Sequence, residues 1–189
     1  ISSNEFFEIV KENNFISRPI LFKNALKDSY IVNNWKTDEF LRENYGDMEV
    51  MVEYNKKETR KNGNFETNLD GFLNEYNNSD IYLVTDIMHE KMLMDIKFLP
   101  FFKCGGLTNY LGTRNMWMSS GKSQSVVHSD NVYNINCIID GQKKWIFFNS
   151  TYEHQFETYP NNDELNGFGF MDAGLDNFTY KENNEKEES

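Results

Sequence analysis

The chain has 189 residues, with 30 acidic against 19 basic side chains and a formal net charge of −11. This length suits a single domain with a sizeable core, and the aromatic fraction of 15% argues against disorder. An acidic surface repels phosphates, so we expect no direct nucleic-acid binding, and no apolar run is long enough to predict a membrane span.

The cysteines and sequons point to different compartments. The chain has two cysteines, Cys104 and Cys137, which make no disulfide framework and favour a reducing compartment such as the cytoplasm or nucleus. The sequons at Asn77, Asn149 and Asn177 would instead suit the endoplasmic reticulum or secretion, although such matches are frequent in an Asn-rich chain. The first residue is not Met and no signal-peptide pattern follows it, which fits a mature, trimmed or partial chain.

Helices and short strands are predicted to alternate in the first half of the chain. Capping residues and apolar spacing predict three helices, which begin at Ser2 or Ser3, at Thr37 (ending at Gly46) and at Asn68. Apolar or alternating runs predict three strands, over Pro19–Phe22, Met48–Tyr54 and Ile81–Val84. Polar residues 55–66 predict a loop, and His89 is placed in a short helix.

The second half predicts closely spaced antiparallel strands. The predicted strands and turns are a strand at Met116–Met118, a turn at Ser119–Lys122, strands at Ser125–His128, Tyr133–Ile139 and Lys143–Phe148, and a hairpin turn at Asp140–Gly141. Together with the first half, this order predicts an α+β domain built round a β-barrel or sandwich. We expect one domain over residues 1–180, followed by a mobile acidic tail over residues 181–189.

One short motif carries metal-binding chemistry. His128 and Asp130 are two residues apart, so on a strand both side chains project from the same face. An imidazole and a carboxylate make up two thirds of the 2-His-1-carboxylate triad that holds Fe(II) in oxygenases. Such a tripeptide is also frequent by chance, and on this pattern alone ordinary hydrogen bonding at a strand end is the favoured explanation.

Polar side chains after this motif allow two interpretations. Asn134 and Asn136 share one face of their predicted strand and either meet water or line a wet pocket, and Ser125 is ambiguous in the same way. Lys143 shares a face with aromatic residues that include Trp145. A buried ammonium needs an anionic partner, such as the distal carboxylate of a dicarboxylate, whereas a snorkelling side chain needs none.

The central part of the chain resembles a known family of oxygenases. The run from Asn115 to Asp130, followed by Asn134 and by Ile139–Phe148, is similar to the JmjC, or cupin-like, 2-oxoglutarate oxygenases. The shared pattern is an apolar strand, a turn of small residues, H-x-D, an Asn shortly after it, and a Gly-x-Lys hairpin that leads into an aromatic strand. Including the upstream chain, the resemblance covers Phe6 to Phe178.

The resemblance implies a fold, an activity and a site. The fold would be a double-stranded β-helix, a cupin or jelly-roll-like barrel with N-terminal helices and mixed strands. The activity would be that of an Fe(II)- and 2-oxoglutarate-dependent dioxygenase, with a protein or peptide substrate whose side chain is hydroxylated or demethylated. His128 and Asp130 would ligate the iron. The co-substrate pocket would hold Lys143, on the distal carboxylate of 2-oxoglutarate, together with Ser125, Asn134 and Tyr110.

The chain departs from the family pattern at the second iron-binding His. In the family this residue lies several tens of positions beyond the H-x-D, whereas His154 follows His128 by 26 positions and His89 precedes it. The segment Phe170–Phe178 resembles the stretch just ahead of the family's final strands. We therefore expect a chain that lacks its last strands, and the alternative is a non-catalytic cupin-fold binding module without a functional iron site.

Overall fold

The computed structural model describes residues 3–12, 19–55, 57–58, 63–96, 112–125 and 134–149. The described helices are α1 (Ser3–Glu12), α2 (Tyr30–Asn34), α3 (Asp38–Tyr45), α4 (Leu69–Glu75) and α5 (Glu90–Asp95). The described strands are β1 (Glu49–Tyr54), β2 (Lys57–Glu58), β3 (Asn64–Asn68), β4 (Ile81–Asp86), β5 (Asn115–Met118) and β6 (Gln124–Ser125). None of these helices is long and apolar enough to cross a membrane.

An antiparallel sheet in the order β3-β1-β4-β5 forms the centre of the described structure. Leu83 of β4 lies opposite Val52 of β1 on one side and Met118 of β5 on the other. Val52 and Leu83 are fully buried, as expected for paired apolar positions on the inner strands. A second, parallel ladder joins the short strands β2 and β6 and pairs Glu58 with Ser125.

Side-chain caps explain where most of the helices begin. Ser29, Thr37 and Asn68 precede α2, α3 and α4, and each accepts a hydrogen bond from a backbone N–H of the first turn. The predictions of helices at Thr37 and Asn68 are confirmed, as are α1 and the strands β1, β4 and β5. Helix α2 was not predicted, although Ser29 was a readable cap.

Gly46 ends α3 and is bonded to the first turn of α4 through its main chain. Its N–H donates to the Arg42 carbonyl at 3.0 Å, and its own carbonyl accepts from the Asp70 N–H at 2.9 Å. A Cβ on Gly46 would lie 2.5 Å from the Arg42 carbonyl oxygen. The Arg42 guanidinium also forms an ion pair with Asp70, so the two helices are joined at this point by main chain and side chains.

The core lies between the sheet and helices α2 to α5, and Tyr45 is fully buried within it. The Trp35 indole N–H donates to the Tyr45 hydroxyl at 3.0 Å, and this hydroxyl donates to the Asp95 carboxylate. Burial, reinforced by the bond to Asp95, raises the pKa of Tyr45 far above its usual value. Burial and hydrogen bonds to both Asp38 oxygens likewise raise the pKa of Tyr76.

Two predictions in the first half are wrong. Residues Pro19–Phe22 form no strand, and Leu21 is 80% exposed, because an apolar run becomes a strand only where another strand pairs with it. Residues 55–66 are not one loop, since β2 and the beginning of β3 fall within them. The alternation of Phe65 and Thr67 with polar neighbours was the missed signal, and β3 pairs with β1 as a hairpin.

The predicted strands after the H-x-D motif are also absent from residues 134–149, which have no regular secondary structure. Ile139 packs against the core, whereas Ile135 and Ile138 are exposed, so burial does not follow the expected period of two. The turn at Asp140–Gly141 is confirmed, and Gly141 has a φ of 79°, which favours glycine. The described sheet and helices suit a cupin-like α+β fold, and the complete double-stranded β-helix stays a prediction.

Candidate functional site

A well-defined turn leads the chain towards the H-x-D motif. After β5, the Ser119 hydroxyl accepts from the Gly121 N–H at 3.2 Å and lies 3.1 Å from the Ser123 hydroxyl oxygen. Gly121 and Lys122 both have positive φ angles, of 98° and 62°, as a tight reversal requires. This confirms the predicted turn, and β6 then carries Ser125 towards the motif. His128, Asp130 and Tyr110 lie outside the described residues, so their roles stay predictions.

Both ring nitrogens of His89 are already engaged in the described structure. Its Nδ1 accepts the Met92 N–H at 3.4 Å and so caps α5, and its Nε2 lies 3.4 Å from an Asp47 carboxylate oxygen. The ring also meets the edge of Tyr45, with centroids 5.6 Å apart. His89 therefore serves the fold and is a poor candidate for the second iron ligand. His154, the other candidate, lies outside the described residues.

His89 belongs to no cluster of metal-binding side chains among the described residues. Within the part of the chain that the structure describes, no three His, Cys, Asp or Glu side chains are grouped closely enough to hold a metal ion. Cys137 is a free, exposed cysteine. The described residues therefore supply no metal site by themselves, and His128 and Asp130 stay predicted ligands.

Three predicted co-substrate residues are described. Ser125 is half-buried at the end of β6, and Asn134 is exposed. Lys143 is exposed as well, and its ammonium lies 4.5 Å from the centroid of the Trp145 ring and 5.7 Å from that of the Trp117 ring. The sequence placed Lys143 and Trp145 on one face of a strand; the strand is absent, but the two side chains are in contact. The contact with Trp117, 26 positions before Lys143 on β5, was not predicted.

The two residues of the Asn pair differ in their surroundings. Asn134 is exposed, as the solvent interpretation requires, but the Oδ1 of Asn136 is buried and accepts no hydrogen bond. A buried carbonyl oxygen without a donor costs about 1–3 kcal/mol. A hydroxyl or N–H of another group would thus gain a hydrogen bond by donating to the Asn136 Oδ1. The sequence analysis gave this residue no separate role.

Comparison with protein families identifies one match. The model described as the cupin-like domain matches residues 4–183, nearly the whole chain. The comparisons with curated proteins and with solved structures returned no match. The matched range includes the described sheet, the H-x-D motif, and the segment that carries Lys143.

Proposed function

The chain belongs to the cupin-like domain family, and from that premise we propose that it is an Fe(II)- and 2-oxoglutarate-dependent oxygenase acting on a protein side chain. The observation that carries the proposal is that the family match extends over residues 4–183 and so includes the H-x-D motif. Two residues separate the end of β6 from His128, the first residue of the motif, and the Gly-x-Lys run begins at the Gly141 turn. The order of these parts along the chain is that of the family pattern, although residues 134–149 form none of the strands that the pattern places there.

The donor chemistry of the motif suits the metal. The imidazole nitrogen of His128 and the carboxylate oxygen of Asp130 are ligand types that Fe(II) accepts, and they would supply two of the three protein ligands. Bound iron would supply the redox chemistry that couples decarboxylation of 2-oxoglutarate to oxidation of the substrate. The third ligand is not His89, whose ring nitrogens hold Met92 and Asp47.

Polar side chains of the candidate site would bind 2-oxoglutarate through its carboxylates. The Lys143 ammonium would bind the distal carboxylate of 2-oxoglutarate, because a charge-assisted bond to a carboxylate is stronger than its contacts with the indoles. The hydroxyls of Ser125 and Tyr110 and the amide of Asn134 would donate hydrogen bonds in the same pocket. These four residues would thus fix the orientation of the co-substrate.

Titration calorimetry under anaerobic conditions tests the proposal. We expect Fe(II) to bind the wild-type chain more tightly when 2-oxoglutarate is present, and we expect Asp130→Ala to lose this binding. His89→Asn is the matched control, because it removes an imidazole that caps α5 and keeps a capping side chain, so it should leave metal binding unchanged. Wild-type protein that binds no Fe(II) in the presence of 2-oxoglutarate would contradict the proposal.

A second candidate function is a binding module that keeps the cupin-like fold without a functional iron site. The engagement of His89 favours it, because one of the chain's three His is then committed to the fold. In the same calorimetry, this candidate predicts weak Fe(II) binding that Asp130→Ala leaves unaltered. Tight binding assisted by 2-oxoglutarate would exclude it.

A further inference from the structure

An ammonium group lies against two tryptophans on the surface of the molecule. The Nζ of Lys143 is 4.5 Å from the centroid of Trp145 and 5.7 Å from that of Trp117, both within the range of a cation–π contact. Trp117 belongs to β5, which is hydrogen-bonded to β4, and Trp145 stacks on Phe147 with nearly parallel rings. Both indoles are therefore braced by neighbours, and we call Trp117 and Trp145 the tryptophan pair.

We propose that the tryptophan pair is a binding site for a cationic side chain of a partner protein, a lysine or an arginine, and that Lys143 occupies it in the free chain. The contact of the Lys143 ammonium with the two rings shows that they accept a positively charged nitrogen, so this side chain serves as a model of the ligand. The site needs neither iron nor 2-oxoglutarate, so its test and that of the oxygenase proposal can fail separately.

The tryptophan pair is accessible to such a partner. Trp145 is 46% exposed, Trp117 is partly exposed, and the apolar residues that follow Trp145 are exposed as well. An exposed aromatic run of this kind marks interaction surfaces more often than the surface of a monomer. A lysine or arginine offers such a surface an apolar stem together with a charge.

Charge complementarity favours a cationic occupant over a neutral one. The chain carries a net charge of −11, and the exposed Asp140 lies three residues before Lys143. A basic segment is therefore attracted to this surface, whereas an acidic one is repelled. A contact between an ammonium and exposed rings is weak. Competition from Lys143 should therefore lower the affinity of the tryptophan pair for a partner's cation by only about two- to fivefold.

The experiment uses the three indole N–H signals of the chain in ¹⁵N-labelled protein. Choline is the cationic probe, and 3,3-dimethylbutan-1-ol is its neutral isostere. We expect choline to shift the signals of the tryptophan pair saturably and to bind Lys143→Met about two to five times more tightly than wild type. The neutral alcohol should produce no such saturable shift.

Two matched controls separate the site from general effects. Lys144→Met removes the same charge one residue along the chain, so it should bind choline no more tightly than wild type does. Trp35 is buried and bonded to Tyr45, so its signal reports the fold and should not move during the titration. Should Lys143→Met disturb that signal, Lys143→Gln replaces it.

The proposal is overturned if the alcohol and choline give the same shifts, or if the Lys143 variants bind choline no more tightly than Lys144→Met. Loss of choline binding in Trp145→Leu, with the Trp35 signal unchanged, would support it.

Discussion

Tyr45, in α3, contacts α5 and Trp35, the residue that follows α2. Its hydroxyl both accepts and donates a hydrogen bond. It accepts from the Trp35 indole and donates to Asp95, and its ring forms edge-to-face contacts with the rings of Trp35, Phe40 and His89. A buried hydroxyl with both partners present holds three elements in one arrangement. The sequence marked none of these residues as connected, because they are up to 50 positions apart.

The contribution of Tyr45 to the free energy of unfolding should decrease at alkaline pH. Burial raises its native pKa above the usual value of about 10, so the unfolded chain releases the Tyr45 proton first as the pH rises. The contribution of the neutral phenol is therefore complete below pH about 10 and is lost as the pH rises towards the native pKa. The wild type should exceed Tyr45→Phe by about 1–3 kcal/mol at neutral pH.

Urea denaturation of both chains at several pH values checks this prediction. Above pH about 10, the difference in unfolding free energy should shrink by up to about 1.4 kcal/mol per pH unit. Tyr76 is present in both chains, so its own raised pKa cancels in the comparison. A difference that stays constant from neutral pH to about pH 11 would show that the Tyr45 proton is not held by the fold.

At the scale of single elements, local signals predicted most of the helices, with α2 missed, and were insufficient for several strands. Thr37 and Asn68 cap their helices through atoms three residues away, which the sequence itself specifies. A strand instead depends on a partner elsewhere in the chain. For this reason Pro19–Phe22 and residues 134–149 were misassigned despite apolar or alternating patterns, whereas β1 and β4, whose partners are present, were predicted.

The junction of α3 and α4 should not tolerate a side chain at Gly46. In Gly46→Ala, the added Cβ would lie 2.5 Å from the Arg42 carbonyl oxygen, so the end of α3 must shift and disturb the bond from Asp70. We expect the variant to be about 1–3 kcal/mol less stable than the wild type in urea denaturation, as for other overpacked sites.

Gly112→Ala is the matched control for this variant. Its Cβ would meet no heavy atom within 4 Å, so the free energy of unfolding should change by less than about 0.5 kcal/mol. Equal midpoints for the two alanine variants would mean that the close approach at Gly46 has no energetic importance.

At the scale of the whole molecule, the sequence identified candidate site residues but did not predict which distant side chains contact them. The choice of Lys143 came from the resemblance to the family and stays a prediction, whereas the turn at Gly141 came from the local pattern and is confirmed. The contact between Lys143 and Trp117 joins two distant parts of the chain, and no periodicity predicts it. The sequence placed His89 only in a short helix, and its contacts with Met92 and Asp47 assign it to the fold.

The two proposals meet at Lys143, and together they predict that co-substrate and cationic partner bind cooperatively. If 2-oxoglutarate draws the Lys143 ammonium onto its distal carboxylate, the tryptophan pair loses its internal ligand. Choline should then bind about two to five times more tightly in the presence of Fe(II) and saturating 2-oxoglutarate than in their absence. Because such coupling is reciprocal, choline should raise the affinity for 2-oxoglutarate by the same factor.

Calorimetric titrations in both orders, under anaerobic conditions, measure this coupling. Lys144→Met should keep the coupling, since it leaves the ammonium of Lys143 in place, whereas Lys143→Met should bind choline equally well with and without 2-oxoglutarate. If 2-oxoglutarate binds the wild type and the affinity for choline does not change, Lys143 is not the partner of the distal carboxylate, although the tryptophan pair can still be a cation site. If the two ligands oppose each other, the co-substrate carboxylate and the tryptophan pair do not compete for the ammonium, and the link between the two proposals is wrong.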